Sequence, residues 1–190
     1  TEQINGVTTI RMRQDGRQGG KAAPANAVNQ TVLASVATTD FPHVLAAKKE
    51  ISNWNFMQLN PEILREPTRY EVNLDDKIGH SGENLAAALY RIKEESAYNL
   101  QLISFKLNSF LPEFTSVDVL DDTANKQFLI RLKNEDGKVF TSRVLSEGTL
   151  RLLTLCILLY DDKYQGLLCF EEPENGIHPF RIATMVELLR

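Results

Sequence analysis

Two apolar segments near the end of the chain most constrain what it can fold into. The first, LSEGTLRLLTLCILLY at residues 145–160, places leucine or isoleucine at 150, 152, 153, 155, 157, 158 and 159. A helix that is apolar nearly all round has no face to give to water, so it is buried along its length. The second, GLLCFEEPENGIHP at residues 166–179, begins with Leu167, Leu168, Cys169 and Phe170, a short run that suits a strand covered on both faces. Glu171 and Glu172 follow with no polar spacer, and charge at the end of a buried strand is costly unless something cationic receives it. A further helix is predicted from Pro179, with Ile182, Met185, Val186 and Leu189 facing inward. Helix, strand and helix in that order read as part of an α/β sheet, with the carboxylates at the strand's carboxyl end, where ligands of such sheets bind.

The remainder of the chain supplies the setting. Val7 to Arg13 alternates as a strand does and runs into a glycine-rich loop, read as an exposed hairpin turn. That loop fails as a phosphate cradle. A P-loop needs GxxxxGK(S/T), and with Gly20 and Lys21 as its end the first glycine position holds Asp15 and the hydroxyl position Ala22. A helix is predicted from Phe41 through Ile51 after Asp40, and Trp54, Phe56 and Leu59 read as core contacts. Leu85, Leu89 and Ile92 share one face of a helix over Glu83 to Lys93, with Ser81 as its cap, and Leu100, Ile103, Leu107 and Phe110 continue in a second helix that Pro112 stops. From Val117 the period changes to that of strands, and the two arms of KQFLIRLKNEDGKVFTSRV flank a turn-forming Asn134-Glu135-Asp136-Gly137.

Composition excludes several classes. With 43% apolar residues, 10 glycines and 7 prolines in 190, the chain is ordinary globular material. Its net charge of −4 and lack of a basic tail leave nucleic-acid contact to a local patch at most. Cys156 and Cys169 sit in apolar runs without metal-ligand spacing, as reduced thiols of a cytoplasmic protein do. The longest apolar stretch, Leu150 to Tyr160, falls well short of the roughly 20 residues of a membrane span, so no membrane partner is expected.

Ser146 at the predicted N-cap and the amides near Gly148 offer donors and a partial positive charge, which suits a phosphate. Of the acidic pair, one carboxylate could hold magnesium while the other polarises a water that attacks a phosphoryl group. Each feature also has a plain structural reading: Ser146 as a cap, the pair as a solvated loop or ion pair, His178 as a residue at a helix start.

Leu145-Ser146-Glu147-Gly148-Thr149 resembles the LSGGQ signature of ABC-type ATPases, and Leu167 to Glu172 resembles their Walker B strand. The spellings LSEGTLRLL and EEPENGIHP, with GENLAAALYRIK upstream, are similar to RecF-like and SMC-like ATPases, including those related to the OLD family, over about Asn53 to Arg190. The resemblance implies an α/β fold: a partial P-loop NTPase (ABC ATPase-like) lobe with a helical and antiparallel β portion. Residues 1–112 would form the N-terminal mixed helical region of the head and 113–190 its signature-helix and Walker B lobe, the two as one continuous domain fragment. It also implies ATP and Mg2+ as cofactors, Glu171 on the metal and Glu172 as catalytic base. Ser146, Glu147, Gly148 and Thr149 would meet the terminal phosphate of ATP held by a second head, and Glu174, Asn175 and Gly176 would belong to the D-loop crossing that dimer. DNA, or an attached effector or nuclease domain, is the implied partner.

Departures from the family pattern are specific. Walker B usually ends Asp-Glu, and here it ends Glu171-Glu172; Glu147 and Thr149 stand where glycine and glutamine are commoner; His178 takes the D-loop aspartate position and is assigned, with Glu172, to the catalytic residues, in a phosphate-sensing role. With no Walker A lysine and no switch histidine, the chain is expected to be a piece of a larger ATPase, inactive by itself. Two other readings stay open: an interaction module that relies on a partner for its P-loop, and a metal-dependent hydrolase using the glutamate pair directly, which needs further ligands nearby.

Overall fold

A computed structural model of the chain describes residues 2–4, 6–13, 20–24, 31–35, 41–74, 77–164 and 166–188. They divide into two compact units, Thr1–Trp54 and Asn55–Arg190. In the first, β1 (Glu2–Ile4), β2 (Val7–Arg13) and β3 (Gly20–Pro24) form an antiparallel sheet in that order, and α1 (Val32–Ser35) and α2 (Pro42–Ser52) follow. Gly20 and Lys21 are strand residues registered against Arg13 and Met12, so they take no part in a phosphate-binding turn. Residues 14–19 of the glycine-rich loop, Asp15 among them, lie outside the described residues. The expected helix at Phe41 starts at Pro42, whose fixed φ suits a first helical position; Asp40, its expected cap, is also outside the described residues.

The second unit opens with β4 (Asn55–Met57), a short helix α3 (Pro61–Arg65) and a two-residue strand β5 (Thr68–Arg69). Two helices follow, α4 (Leu85–Glu95) and α5 (Ala97–Phe110), separated by Ser96, whose hydroxyl accepts from the Asn99 amide and caps α5. The predicted cap Ser81 does not start α4. Asn84 occupies that position with a left-handed φ of 67°, while the Ser81 amide donates to the Glu83 carboxylate at 2.9 Å. Asparagine tolerates this conformation better than most residues do.

The predicted change to strands at Val117 is present, beginning slightly earlier. β6 (Phe114–Asp122) pairs antiparallel with β7 (Gln127–Asn134), and β7 turns into β8 (Val139–Thr141). In the turn, the Gly137 amide donates to the Asn134 carbonyl at 3.0 Å, with φ of 79° at Gly137, a conformation in which glycine bears no steric cost. The other edge of β7 carries β5 at its beginning and β8 at its end. Val117, Val119, Phe128, Ile130 and Leu132 are buried in the core that α4 and α5 also line, and α5 packs on β6. Pro112 and Glu113 join α5 to the strand it packs on.

After a 3-10 turn (Ser142–Val144) comes α6 (Glu147–Leu159), the helix read as buried along its length. Every residue from Gly148 through Leu158 is buried, and the helix packs against α3 and α5 and against α7 (Pro179–Leu188). Of the inward residues assigned to α7, Met185 is buried, Ile182 half-buried and Val186 exposed, while Leu189 lies outside the described residues. Between α6 and α7 stands β9 (Leu168–Phe170). It pairs parallel with β4, register Asn55–Leu168 through Met57–Phe170, and its three residues are half-buried, where the sequence suggested full cover on both faces. The reason is its sheet, which among the described residues has only these two strands.

A buried ion pair ties the unit together. The Arg91 guanidinium of α4 donates to Asp161 at 2.7 Å, just beyond α6, and to Glu95 at 3.3 Å. Burial, the largest single influence, would ease the proton off Arg91, but the hydrogen bonds and charges of Asp161 and Glu95 together outweigh it and the net shift is upward. Removing one partner of such a pair leaves the other charge buried and uncompensated. We expect Asp161→Ala to lower unfolding stability by about 3–5 kcal/mol in urea titration. Asp118→Ala, which breaks half-exposed pairs with Lys93 and Arg131, should cost about 1 kcal/mol or less in the same assay.

Candidate functional site

The parallel pair places two loops side by side. β4 is followed by Gln58, Leu59 and Asn60, and β9 by Glu171 and Glu172, so both loops leave the sheet at its carboxyl edge. The ladder continues one step past the strands, where the Glu171 amide donates to the Met57 carbonyl at 2.8 Å. A third segment runs alongside: the amides of Gln58 and Asn60 donate to the carbonyls of His80 and Ser81, each at 2.9 Å. Asn60 also caps α3 through its side-chain oxygen, which accepts from the Glu62 amide at 2.9 Å. Together these loops and α6 enclose a cleft of about 360 Å³ lined by Gln58, Asn60, Ser81, Arg151, Glu171 and Glu172. It occupies the position where parallel α/β sheets bind ligands.

Both carboxylates assigned from the sequence line this cleft, and both residues are exposed. Glu172 has φ of 46°, rare for a residue with a side chain. Its carbonyl accepts from the Asn175 amide at 3.1 Å and its carboxylate from the Asn175 side chain at 3.4 Å. Such conformations cost of order 1–3 kcal/mol and gather where a side chain must be aimed.

Ser146 is the N-cap of α6: its hydroxyl oxygen accepts from the Thr149 amide at 3.2 Å and lies 2.8 Å from the Thr149 hydroxyl. The segment leading to it is held by the Ser142 hydroxyl, which donates to the Arg65 carbonyl at 2.8 Å. Ser146 and Glu147 are exposed, whereas Gly148 and Thr149 are buried, so the helix start is less open than the sequence suggested. The cause is a close backbone approach. A Cβ on Gly148 would stand 2.4 Å from the Gly176 carbonyl oxygen, and one on Gly176 would stand 3.0 Å from the Glu147 Cβ. Gly176 has φ of 73° in the turn that Glu174 and Asn175 also form, and Ile177 beside it is buried. The structure therefore brings Glu147, Gly148 and Gly176 into contact, while Glu174 and Asn175 are exposed on the same turn. His178 is placed elsewhere: it is exposed, stacks on Phe180 with ring centroids 5.4 Å apart, and does not line the cleft.

Sequence reasoning missed Gln58, Asn60, Ser81 and Arg151 as cleft residues. Arg151 had a signal, as the lone charge inside the apolar run of α6; the other three are gathered only by chain reversal. Cys156 is excluded as a nucleophile, since burial pushes its thiol up to about 12.

The oxygen donors in the cleft fit magnesium, which binds through one or two carboxylates and takes its remaining ligands from phosphates and water. Among the described residues no group of three or more His, Cys, Asp or Glu gathers, so these side chains form no closed metal cage.

A parallel strand pair with paired carboxylates at its carboxyl edge, beside the capped start of a buried helix, fits an α/β domain of the P-loop NTPase-like class. Residues 42–190 match the family described as AAA domain, putative AbiEii toxin, Type IV TA system, and the chain belongs to that family. ATP binding follows as the family's type of function, with nucleotide and Mg2+ as what such a domain uses. No curated protein and no solved structure gives a significant match to the chain. Among the described residues no helix is long and apolar enough to cross a membrane.

The glycine contact gives a direct check. We expect Gly148→Ala to lower stability by about 1–3 kcal/mol, the range for overpacking, because the new methyl meets backbone that cannot rotate away. Gly176→Ala should cost about 1–2 kcal/mol from its left-handed φ. Thermal unfolding of the two variants measures both.

Proposed function

We propose that this chain is the signature-helix and acidic-strand lobe of an ATP-dependent head of the RecF/SMC type, related to the OLD-like ATPases. The observation that carries the reading is the cleft at the carboxyl ends of β4 and β9, where Glu171 and Glu172 stand together. Glu171 would hold the magnesium, whose charge neutralises phosphoryl oxygens when bound. Glu172 orients and deprotonates the attacking water, with its strained backbone aiming the carboxylate. Ser146, Glu147, Gly148 and Thr149 face the terminal phosphate held by a second head, with Ser146 exchanging its cap bond for a phosphate oxygen. The turn of Glu174, Asn175 and Gly176 crosses between heads, and His178, exposed beside Phe180, senses phosphate from that surface.

The sequence holds no GxxxxGK(S/T), so in this reading the lysine of the nucleotide site is supplied outside these 190 residues. Closure of two heads around nucleotide then drives an attached effector or a DNA-directed step. The family description names a toxin of a type IV toxin–antitoxin system, which favours the defence arm of this reading over DNA repair.

Calorimetry with MgATP on this chain, and on a longer form carrying a P-loop, tests the division of the site. Binding by the longer form alone is the expected result, and tight binding by this chain would overturn it. In the longer form, Glu172→Gln should reduce turnover by at least about 100-fold, the low end for a lost general base, and leave ATP-dependent dimerisation intact by sedimentation. Undiminished hydrolysis would remove Glu172 from the role of base.

A further inference from the structure

The unit contains two arginines of equal burial, each 4% exposed, and they differ in one respect. Arg91 is met by Asp161 and Glu95. The Arg151 side chain makes no hydrogen bond or ion pair with any described residue, and its Nε is fully enclosed and unpaired. It nevertheless lines the same cleft as Glu171 and Glu172, and neither carboxylate comes within 4.0 Å of it, the limit of an ion pair. A buried guanidinium without a counter-charge is among the costlier arrangements a fold can hold. The same fold avoids that cost at Arg91.

We propose that Arg151 is a phosphate-holding residue, its guanidinium taking the oxyanion of a phosphoryl group that enters the cleft past the ends of β4 and β9. The planar fork of donors matches phosphate geometry in two-point contact. Because the glutamates do not neutralise it, Arg151 keeps its charge for the incoming anion, and they keep theirs for a metal and a water. Arg151 also lies one turn beyond Gly148, so an anion drawn to it bears on the helix start that packs against Gly176. The assignment rests on the nucleotide reading for the identity of the ligand and on the cleft alone for its charge.

The test is thermal unfolding of this chain in inorganic phosphate against chloride of equal ionic strength, for the wild type, Arg151→Met and Arg151→Lys. Phosphate should raise the wild-type midpoint, raise that of the lysine variant less, and leave that of the methionine variant unmoved. Without phosphate, Arg151→Met should unfold no lower than the wild type, since an unpaired buried charge has been replaced by an apolar side chain. A large fall in that midpoint would mean that the guanidinium has an internal partner in solution, and would overturn the proposal. Equal phosphate shifts in all three proteins, or none in the wild type, would also overturn it, the former marking an adventitious ion only. In the P-loop-bearing form, Arg151→Met should weaken MgATP binding about tenfold to a hundredfold. Undiminished MgATP affinity there would remove Arg151 and leave the nucleotide reading standing. An Arg151-dependent phosphate shift with no MgATP binding in either form would do the reverse.

Discussion

Burial of α6 is the constraint on which the rest of this unit depends. A helix with leucine or isoleucine on every side cannot lie on a surface, so α3, α5 and α7 pack around it and the chain that follows must return through its neighbourhood. Its N-terminus is thereby held at the carboxyl edge of β4 and β9, with the turn at Gly176 against Gly148. Even its polar residues conform: the Thr154 hydroxyl donates to the Leu150 carbonyl at 2.8 Å within the helix. Arg151 is the exception, a charge that the helix carries into the interior without an internal partner among the described residues.

Electrostatics in the unit divide along the same line. Arg91 and Asp161 neutralise one another and fasten α4 to the end of α6, a structural use of buried charge. On the surface of the sheet, Lys93 and Arg131 share Asp118. Burial works against that carboxylate, and its two cationic partners overcome it, so its pKa lies below the ordinary value. Where charges have found partners the arrangement serves stability; in the cleft, Arg151, Glu171 and Glu172 stay apart. A fold that leaves a cation and two anions unpaired within one cleft holds a site ready for a ligand bearing both signs, such as a metal phosphate.

Much of this was legible in the chain because it depends on local period. The repeat of Leu85, Leu89 and Ile92 predicts α4, that of Ile103, Leu107 and Phe110 predicts α5, and the turn at Asn134 to Gly137 predicts the β7–β8 hairpin; each is present. The acidic pair was legible for the same reason, as two charges following an apolar run. β4 was not: Asn55, Phe56 and Met57 show no alternation that marks a strand, and their pairing with Leu168, Cys169 and Phe170 spans more than a hundred residues of chain. The cap of α4 failed similarly, since Ser81 has the right chemistry but its backbone is committed to the segment beside β4.

What the sequence determined by itself was the inventory: a buried helix, a short strand ending in two carboxylates, and the match of residues 42–190 to an ATPase family. Tertiary structure decided which groups share a cleft. It joined Gln58, Asn60 and Ser81 to the glutamates, set Arg151 in the lining of the same cleft and left His178 outside. Periodicity records how each segment divides its surface between water and core, and that is a property of neighbours in sequence. Convergence of side chains from four segments depends instead on parallel pairing and helix packing, which no window along the chain contains.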